Sequence, residues 1–519
     1  MQRRGIVDLG SNTARLVDFL LEPGEWYRLA HQIRQPVRLG QGLGKDGLIS
    51  ENAMQRAEMA LELFAQYATS TGLGRLEVLG TSALRDASNS DEFIRRVAHL
   101  GLDIRVLSGE EEARLGVLAV ANGFDFEDAA VMDLGGGSAQ LSLMKGRQFD
   151  SGQAYPLGAV RLTERFLLSD PPKRQQVMDL EAAVAAALGG VVQSIREQGL
   201  PLVAMGGTIR NLARAVQKEQ QYPLLERVHG YFLSRGDLEG LADRLLGLKS
   251  KKRSRIPGIK SDRADVIVAG ALVYRWLLQQ SDLEGVWISG SGLREGALLR
   301  HLLPPPHLID NLRSFSVQNL LQQYAQSKEH VELTRELSDK LFTGLRPIHG
   351  FGSRELDLLD AAAVLQDIGL AVNYFRHDRH GAYLVSSAPL MGFTHREQAL
   401  LAQLVRYHLR GKPRLGTFEA LCEGEEDTRL LLTLAACLRL ADHLERPRAR
   451  RVRDLEVEIR DAEVVVRPVA AENLALELWQ IDQHEEIFEA AFQRRLVVDP
   501  IYPAAAAPSE SKPRTVTDL

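Results

Sequence analysis

Two stretches of this chain set an aspartate just before a glycine-rich turn. They are Ile6-Val7-Asp8-Leu9-Gly10-Ser11-Asn12-Thr13 and Val131-Met132-Asp133-Leu134-Gly135-Gly136-Gly137-Ser138. Asp133 follows Asp8 by 125 residues (133 − 8). Each apolar run reads as a strand, and the turn after it offers free backbone N–H groups. Such a turn cradles an anion, and glycine lets the backbone approach phosphate closely. An aspartate at the strand end can hold Mg²⁺, or its water shell, beside that phosphate. Two more strand–glycine turns occur at Gly80-Thr81-Ser82 and Gly206-Gly207-Thr208. A run of three glutamates, Glu110, Glu111 and Glu112, follows Ser108-Gly109. A carboxylate at a cleft can take a proton and orient water for in-line attack. The same run also suits a helix N-terminus, where the dipole favours acids.

The elements that would position these residues repeat. After each Asp-Leu-Gly turn come two more strands, the first pair joined at Pro23-Gly24 and the second at Lys145-Gly146. Alternating helices and strands then follow. The first half reads as a helix from Ser50 to Ser70, a strand Leu76–Leu79, a helix Asp91–Leu100, a strand Ile104–Leu107 and a helix from Glu110. The second half reads as a helix Asp179–Gln198, a strand Leu202–Met205, further helices and a strand Val286–Ile288. This is a duplicated α/β plan, two lobes facing a cleft. The expected lobes cover residues 1–125 and 126–305. Residues 312–450 read as helical, and 451–500 as a small α/β module with a hairpin followed by helix from Glu472 to Leu496. The Ala/Pro/Ser-rich tail, 503–519, is expected to be disordered.

Composition narrows the function classes. The chain has 519 residues, 63 Lys plus Arg against 68 Asp plus Glu, and a net charge of −5. A dedicated nucleic-acid binder would carry a basic excess. Cys422 and Cys437 are the two cysteines, too few for a disulfide framework or a zinc cluster. Apolar runs reach only about ten residues, short of the ~18 a membrane span needs. The N-terminus meets a polar turn at once, without a signal-peptide pattern. The expectation is a cytoplasmic protein with neither a membrane nor a specific nucleic acid as partner.

Eight motifs occur in order: DLGSNTARL, GTSALRDASN, VLSGEEEARLG, DLGGGSAQL, GAVRLTERF, MGGT, RADVIVAGALV and GLREGALL. Together they resemble the exopolyphosphatase and guanosine pentaphosphate phosphohydrolase family, within the actin, sugar kinase and heat-shock ATPase superfold. The resemblance implies two actin-like (ribonuclease H-like) lobes, an all-α HD-like domain and a small α/β C-terminal module. It implies Mg²⁺ or Mn²⁺ as cofactor, inorganic polyphosphate or guanosine pentaphosphate as substrate, and a homodimer. It makes Glu111 the catalytic glutamate that activates water, leaving Glu110 and Glu112 as the acidic helix start. Asp133 matches the Mg²⁺-associated aspartate, and Asp8 its counterpart in the first lobe. Gly135, Gly136, Gly137 and Ser138 match one phosphate loop, and Gly10, Ser11, Asn12 and Thr13 the other. Arg85 matches a phosphate-facing arginine, and Gly206, Gly207 and Thr208 a third phosphate-side turn.

Two departures stand out. Gln140 occupies a position where the family usually has a metal-holding glutamate, and the resemblance still implies a place for it beside the metal with Asp8 and Asp133. An amide keeps the shape and one acceptor but loses the charge. In the helical part, HD-type enzymes hold metal with a distant His, a His-Asp pair and a late Asp. The matching residues here are His330, Gln366-Asp367 and Asp442, with His377, His380 and His408 nearby in the pattern. An amide in place of imidazole is a poor transition-metal ligand, so this domain is expected to be structural. Two basic runs remain, Lys249–Arg263 and Arg446–Arg453. Either can be a solvated loop or a cationic wall for a long polyanion. The expected activity is release of orthophosphate from the end of inorganic polyphosphate. Guanosine pentaphosphate hydrolysis and a non-catalytic sensor of either ligand are the alternatives.

Overall fold

The computed structural model describes residues 1–502 except 44–46, 225–226, 325–327 and 484. The expected tail, 503–519, lies outside the described residues. The chain divides into two compact units, Met1–Asn319 with Met391–Phe393, and Leu320–Leu390 with Thr394–Leu519.

The first unit is built on two sheets. The five-stranded sheet has the order β3-β2-β1-β4-β5: β1 Gln2–Leu9, β2 Thr13–Glu22, β3 Trp26–Pro36, β4 Leu76–Gly80 and β5 Asp103–Val106. The six-stranded sheet repeats this around β6 Ala129–Leu134, β7 Ala139–Lys145, β8 Gln148–Tyr155 and β9 Leu202–Met205. It adds β10 Tyr231–Ser234 and β11 Gly285–Ile288, in the order β10-β11-β9-β6-β7-β8. In both sheets the first strand pairs antiparallel with the second and parallel with the fourth. The central strands are buried almost throughout, as expected of parallel strands covered on both faces. These mixed α/β sheets with their helices are consistent with actin-like lobes.

The helices cover the sheets: α1 Glu51–Thr71, α2 Gly109–Ala121, α3 Arg174–Gln198, α4 Gly207–Glu219, α5 Ile267–Ser281 and α6 Leu293–Leu302. α1 ends at Gly72, whose φ of 64° makes a left-handed cap that a β-carbon would disfavour. α3 begins five residues before the expected Asp179. Among the described residues it is the helix long and apolar enough, by composition, to cross a membrane. Here its stripe Leu180, Val184, Leu188, Val192 and Ile195 is buried. The segment expected as helices alone before Val286 contains β10, which pairs antiparallel with β11. That pairing is non-local, so local periodicity does not show it.

The second unit holds α7 Lys328–His349, α8 Ser353–Leu365, α9 His377–Ser387, α10 His395–Tyr407 and α11 Gly424–Leu444. A three-stranded sheet, β12 Val452–Ile459, β13 Glu463–Ala470 and β14 Arg495–Val498, closes the described chain. The expectation of helix through to Leu496 is corrected there. The helix Glu485–Phe492 stops before β14, which pairs parallel with β13.

Candidate active site

The two Asp-Gly turns fold alike. Gly10 N–H donates to the Thr13 carbonyl at 3.2 Å, and Gly135 N–H to the Ser138 carbonyl at 3.0 Å. Asp8 ends β1 opposite Arg15 of β2, and Asp133 ends β6 opposite Gln140 of β7. Gln140 is thus the positional counterpart of Arg15, seven residues beyond its aspartate in each lobe (15 − 8 = 140 − 133). The turns interlock tightly. A β-carbon on Gly137 would lie 2.6 Å from both Ser11 Oγ and Ser82 Oγ. Those two hydroxyls are hydrogen-bonded at 2.8 Å.

The turns wall a cavity of about 120 Å³. Asp8, Asp133 and Glu112 reach it, as do Arg15, Arg210, Arg263 and Arg294. The loop residues Gly10, Ser11, Asn12, Thr13, Gly135, Gly136 and Ser138 line it too, with Gly206 and Gly207. Gly206 has φ 98°, and a β-carbon there would sit 2.8 Å from Asp133 Oδ1. On Gly207 it would sit 2.2 Å from the Arg263 guanidinium. At Gly206 the positive φ and the nearby Leu134 carbonyl favour glycine, and at Gly207 the missing side chain leaves room for the Arg263 guanidinium.

Five of the expected residues stand differently, and the first, Gly137, packs against Ser11 and Ser82 outside the cavity lining. Glu111 does not line the cavity. Its carboxylate accepts from Ser108 N–H at 2.9 Å while Ser108 Oγ accepts from Glu111 N–H at 3.1 Å, a reciprocal cap on α2. Its side chain is 48% exposed. Successive helical residues point about 100° apart, so fixing Glu111 in the cap turns Glu112 inward. Glu112 is the glutamate at the cavity, 12% exposed. Arg85 does not line the cavity. Its Nη1 donates to the Leu107 carbonyl and to Glu112 Oε2, both at 3.0 Å, so it fixes the Glu112 carboxylate from behind. Gln140 is buried, its amide donating to Ser138 Oγ at 2.9 Å, beneath the loop and outside the cavity lining. Thr208 is buried against Gly270 of α5.

Burial pushes the Glu112 carboxyl up to about 7; Arg85 opposes the shift and Asp133 adds to it. Burial also pushes Asp133 up to about 6, opposed by Arg210 and assisted by Asp8, and raises Asp8 itself. Three acids crowd one cavity and resist simultaneous ionisation. Burial and the like charges of Arg294 and Arg210 bring Arg15 down to about 9. Burial with Arg34 brings Arg263 down to about 10. Both remain cationic at neutral pH. The lining carries four guanidinium groups against three carboxyl groups. That excess, with the loop N–H groups, suits a multiply charged anion.

A model of the Ppx/GppA phosphatase family matches residues 23–304, and one of Ppx/GppA phosphatase domain III matches residues 312–481. The chain belongs to the Ppx/GppA phosphatase family. Among solved structures, an exopolyphosphatase from Cytophaga hutchinsonii is 26% identical, with 58% of this chain and 98% of that one covered and a TM-score of 0.55. An exopolyphosphatase-like protein is 26% identical over 58% of this chain and 98% of its own, at a TM-score of 0.51. A Ppx/GppA family member from Aquifex aeolicus is 28% identical over 57% of this chain and 96% of its own, at a TM-score of 0.48.

In this Ppx/GppA chain the cavity arginines were not among the expected site residues, although Arg263 closes the first basic run. Three lie inside motifs already quoted: Arg15 in DLGSNTARL, Arg263 in RADVIVAGALV and Arg294 in GLREGALL. Arg210, three residues after Gly207, is held by the Gly206 and Gly290 carbonyls at 2.9 and 2.8 Å. Of the first basic run, Arg253 is 3% exposed, bonded to the Leu245 carbonyl and paired with Asp170 at 3.0 Å. It is a structural residue, whereas Lys251, Lys252 and Arg255 are exposed. The second run is largely paired: Arg446 with Asp442, Arg448 with Asp367, Arg450 with Glu332, and Arg451 with Glu472 and Glu477.

Proposed function

We propose that this Ppx/GppA phosphatase hydrolyses the terminal phosphoanhydride of inorganic polyphosphate, releasing orthophosphate, with Mg²⁺ or Mn²⁺. The observation that carries the proposal is Glu112. It is a buried carboxyl poised near neutrality, held by Arg85, at a cavity rich in arginine and phosphate-type loops. The end phosphate would rest on the N–H groups of the two glycine turns, with Arg15, Arg210, Arg263 and Arg294 taking its charge. Glu112 would accept a proton from the attacking water and hold it in line. Asp8 and Asp133 would hold the divalent cation. Their fit is chemical, since buried oxygen donors that repel one another suit a hard cation. That cation would supply charge stabilisation at the transferred phosphoryl oxygens.

Inorganic polyphosphate is favoured over guanosine pentaphosphate because the described lining residues include no aromatic ring, and only Leu134 and Leu293 are large apolar groups. A base would find no aromatic partner there. We read the helical residues 312–450 as an HD-like domain, since His330, Asp367 and Asp442 gather within it. His330 Nε2 lies 3.5 Å from Asp367 and 3.6 Å from Asp442. The test is phosphate release from long polyphosphate and from guanosine pentaphosphate, side by side, with Mg²⁺ and with Mn²⁺. Faster release from polyphosphate is expected. Release from the nucleotide alone would reassign the substrate, and release from neither would leave a sensor.

A further inference from the structure

A second cavity, of about 400 Å³, lies in the first unit. Among the described residues it shares no lining residue with the cavity at Glu112. Its walls come from β5, the β7–β8 turn, α2, α6 and the segment that follows α6. Small-molecule sites run from roughly 300 to 1,000 Å³, so it has room for a small organic ligand.

The floor is apolar: Leu115 and Leu118 come from α2, Phe149 from β8 and Leu308 from beyond α6. The rim is cationic, with Arg105, Arg114, Arg147 and Arg300 against one carboxylate, Glu111. These charges differ in how far they are compensated. Arg114 pairs with Glu110 at 2.7 Å and Arg105 with Glu111 at 3.4 Å, all four side chains being about half-exposed. Exposed pairs of this kind are weak and can yield to another anion. Arg147 Nη2 donates to neutral groups, the Ala121 carbonyl at 3.0 Å and the Ile309 carbonyl at 2.8 Å, which leave its charge in place. Arg300 is exposed, and among the described residues no carboxylate lies within ion-pair distance of it; Glu77 and Glu111 feel its charge from further off.

The cavity at Glu112 has a different character, with three carboxyl groups and glycine turns and no aromatic ring among its described lining residues. An inorganic phosphate chain gains nothing from leucine and phenylalanine. A ligand that uses the second cavity in full needs an apolar body to cover the floor and an anionic end for the rim. The Arg114 guanidinium lies 4.2 Å from the centre of the Phe149 ring, so cation and ring are presented together.

We propose that this cavity binds a small amphipathic anion, an apolar body carrying one acidic group, at a site separate from the phosphate cleft. Its position gives the ligand a hold on that cleft. α2 carries Glu111 to this cavity and Glu112 to the other, and α6 carries Arg300 here and Arg294 there. The two helices cross backbone against backbone, since a β-carbon on Gly296 would overlap the Leu115 carbonyl. An occupant bears on both helices at once.

The test uses the full-length chain and anilinonaphthalene sulfonate, an aromatic body with one sulfonate that fluoresces in apolar surroundings. Saturable binding of one molecule per chain is expected, and orthophosphate should not displace it. Arg300→Gln, at an exposed position, should weaken binding about tenfold or more, the scale of one lost bond to a charged group. Leu308→Trp, which fills the cavity from its apolar side, should abolish binding, with circular dichroism checking that the variant is folded. Unchanged binding in Arg300→Gln, binding that survives in folded Leu308→Trp, or displacement by orthophosphate would overturn the site.

Discussion

Glu111 and Glu112 are adjacent, chemically identical and assigned to different work. Ser108 is the helix cap, which makes Glu111 the third helical residue, the position whose side chain returns to the cap. The sequence already held that signal, because Ser108 followed three residues later by glutamate is a capping pattern. In a run of three glutamates, the family motif alone does not say which one faces the cleft. Glutamine serves in such a cap as glutamate does, and the exposed Arg105–Glu111 pair at 3.4 Å contributes little. Glu111→Gln should therefore leave turnover within about threefold of wild type and shift stability by less than ~1 kcal/mol. Phosphate release and urea unfolding check both. With Glu112 as the proposed base, its ionisation should set the pH dependence. Its carboxyl, raised to about 7, must be ionised to accept a proton, so it is inactive on the acid side. kcat/KM should fall as pH drops below about 7, approaching tenfold per pH unit. A cation held at Asp8 and Asp133 favours the ionised form and moves this limb to lower pH as Mg²⁺ rises. A flat profile between about pH 5 and 8 at every Mg²⁺ concentration would remove Glu112 from the role of base.

The elements set the cleft through strand ends and interlocking turns. Gly137 fits only because it has no side chain, with Ser11 and Ser82 filling the space a β-carbon would take. Gly137→Ala should cost about 1–3 kcal/mol, the usual scale for overpacking. It should also raise KM by prising the loops apart, readable in denaturant unfolding and steady-state kinetics. The repeated Asp-Leu-Gly turns made β1 and β6 legible, since a strand ending in such a turn is a local pattern and the duplication supports it. β10 and β14 were not legible. Each is four residues long and defined by a partner distant in sequence, β11 for one and β13 for the other. The four cavity arginines were hidden for a related reason. A lone arginine, or one closing a basic run as Arg263 does, reads as surface, and only the fold turns Arg15, Arg210, Arg263 and Arg294 into one cavity.

At the scale of the whole molecule the net charge of −5 conceals a cationic cavity and an exposed basic run. Long polyphosphate carries charge along its whole length and can touch both, whereas a guanosine pentaphosphate is short. Replacing Lys251, Lys252 and Arg255 by Gln, with buried Arg253 left intact, should lower kcat/KM for long polyphosphate and flatten its salt dependence. The nucleotide should change much less. Equal losses on both substrates would place the run at the cleft instead. The account's central claim is that a buried glutamate at an anion-binding cleft drives hydrolysis of a phosphoanhydride end. Its most direct measurement is single-turnover phosphate release from long polyphosphate by wild type and by Glu112→Gln, with Mg²⁺ and with bound polyphosphate quantified in parallel. The account predicts unchanged binding and release slowed by ~10²-fold or more, the scale of a lost acid–base group. Release at the wild-type rate from the Glu112→Gln protein would contradict it.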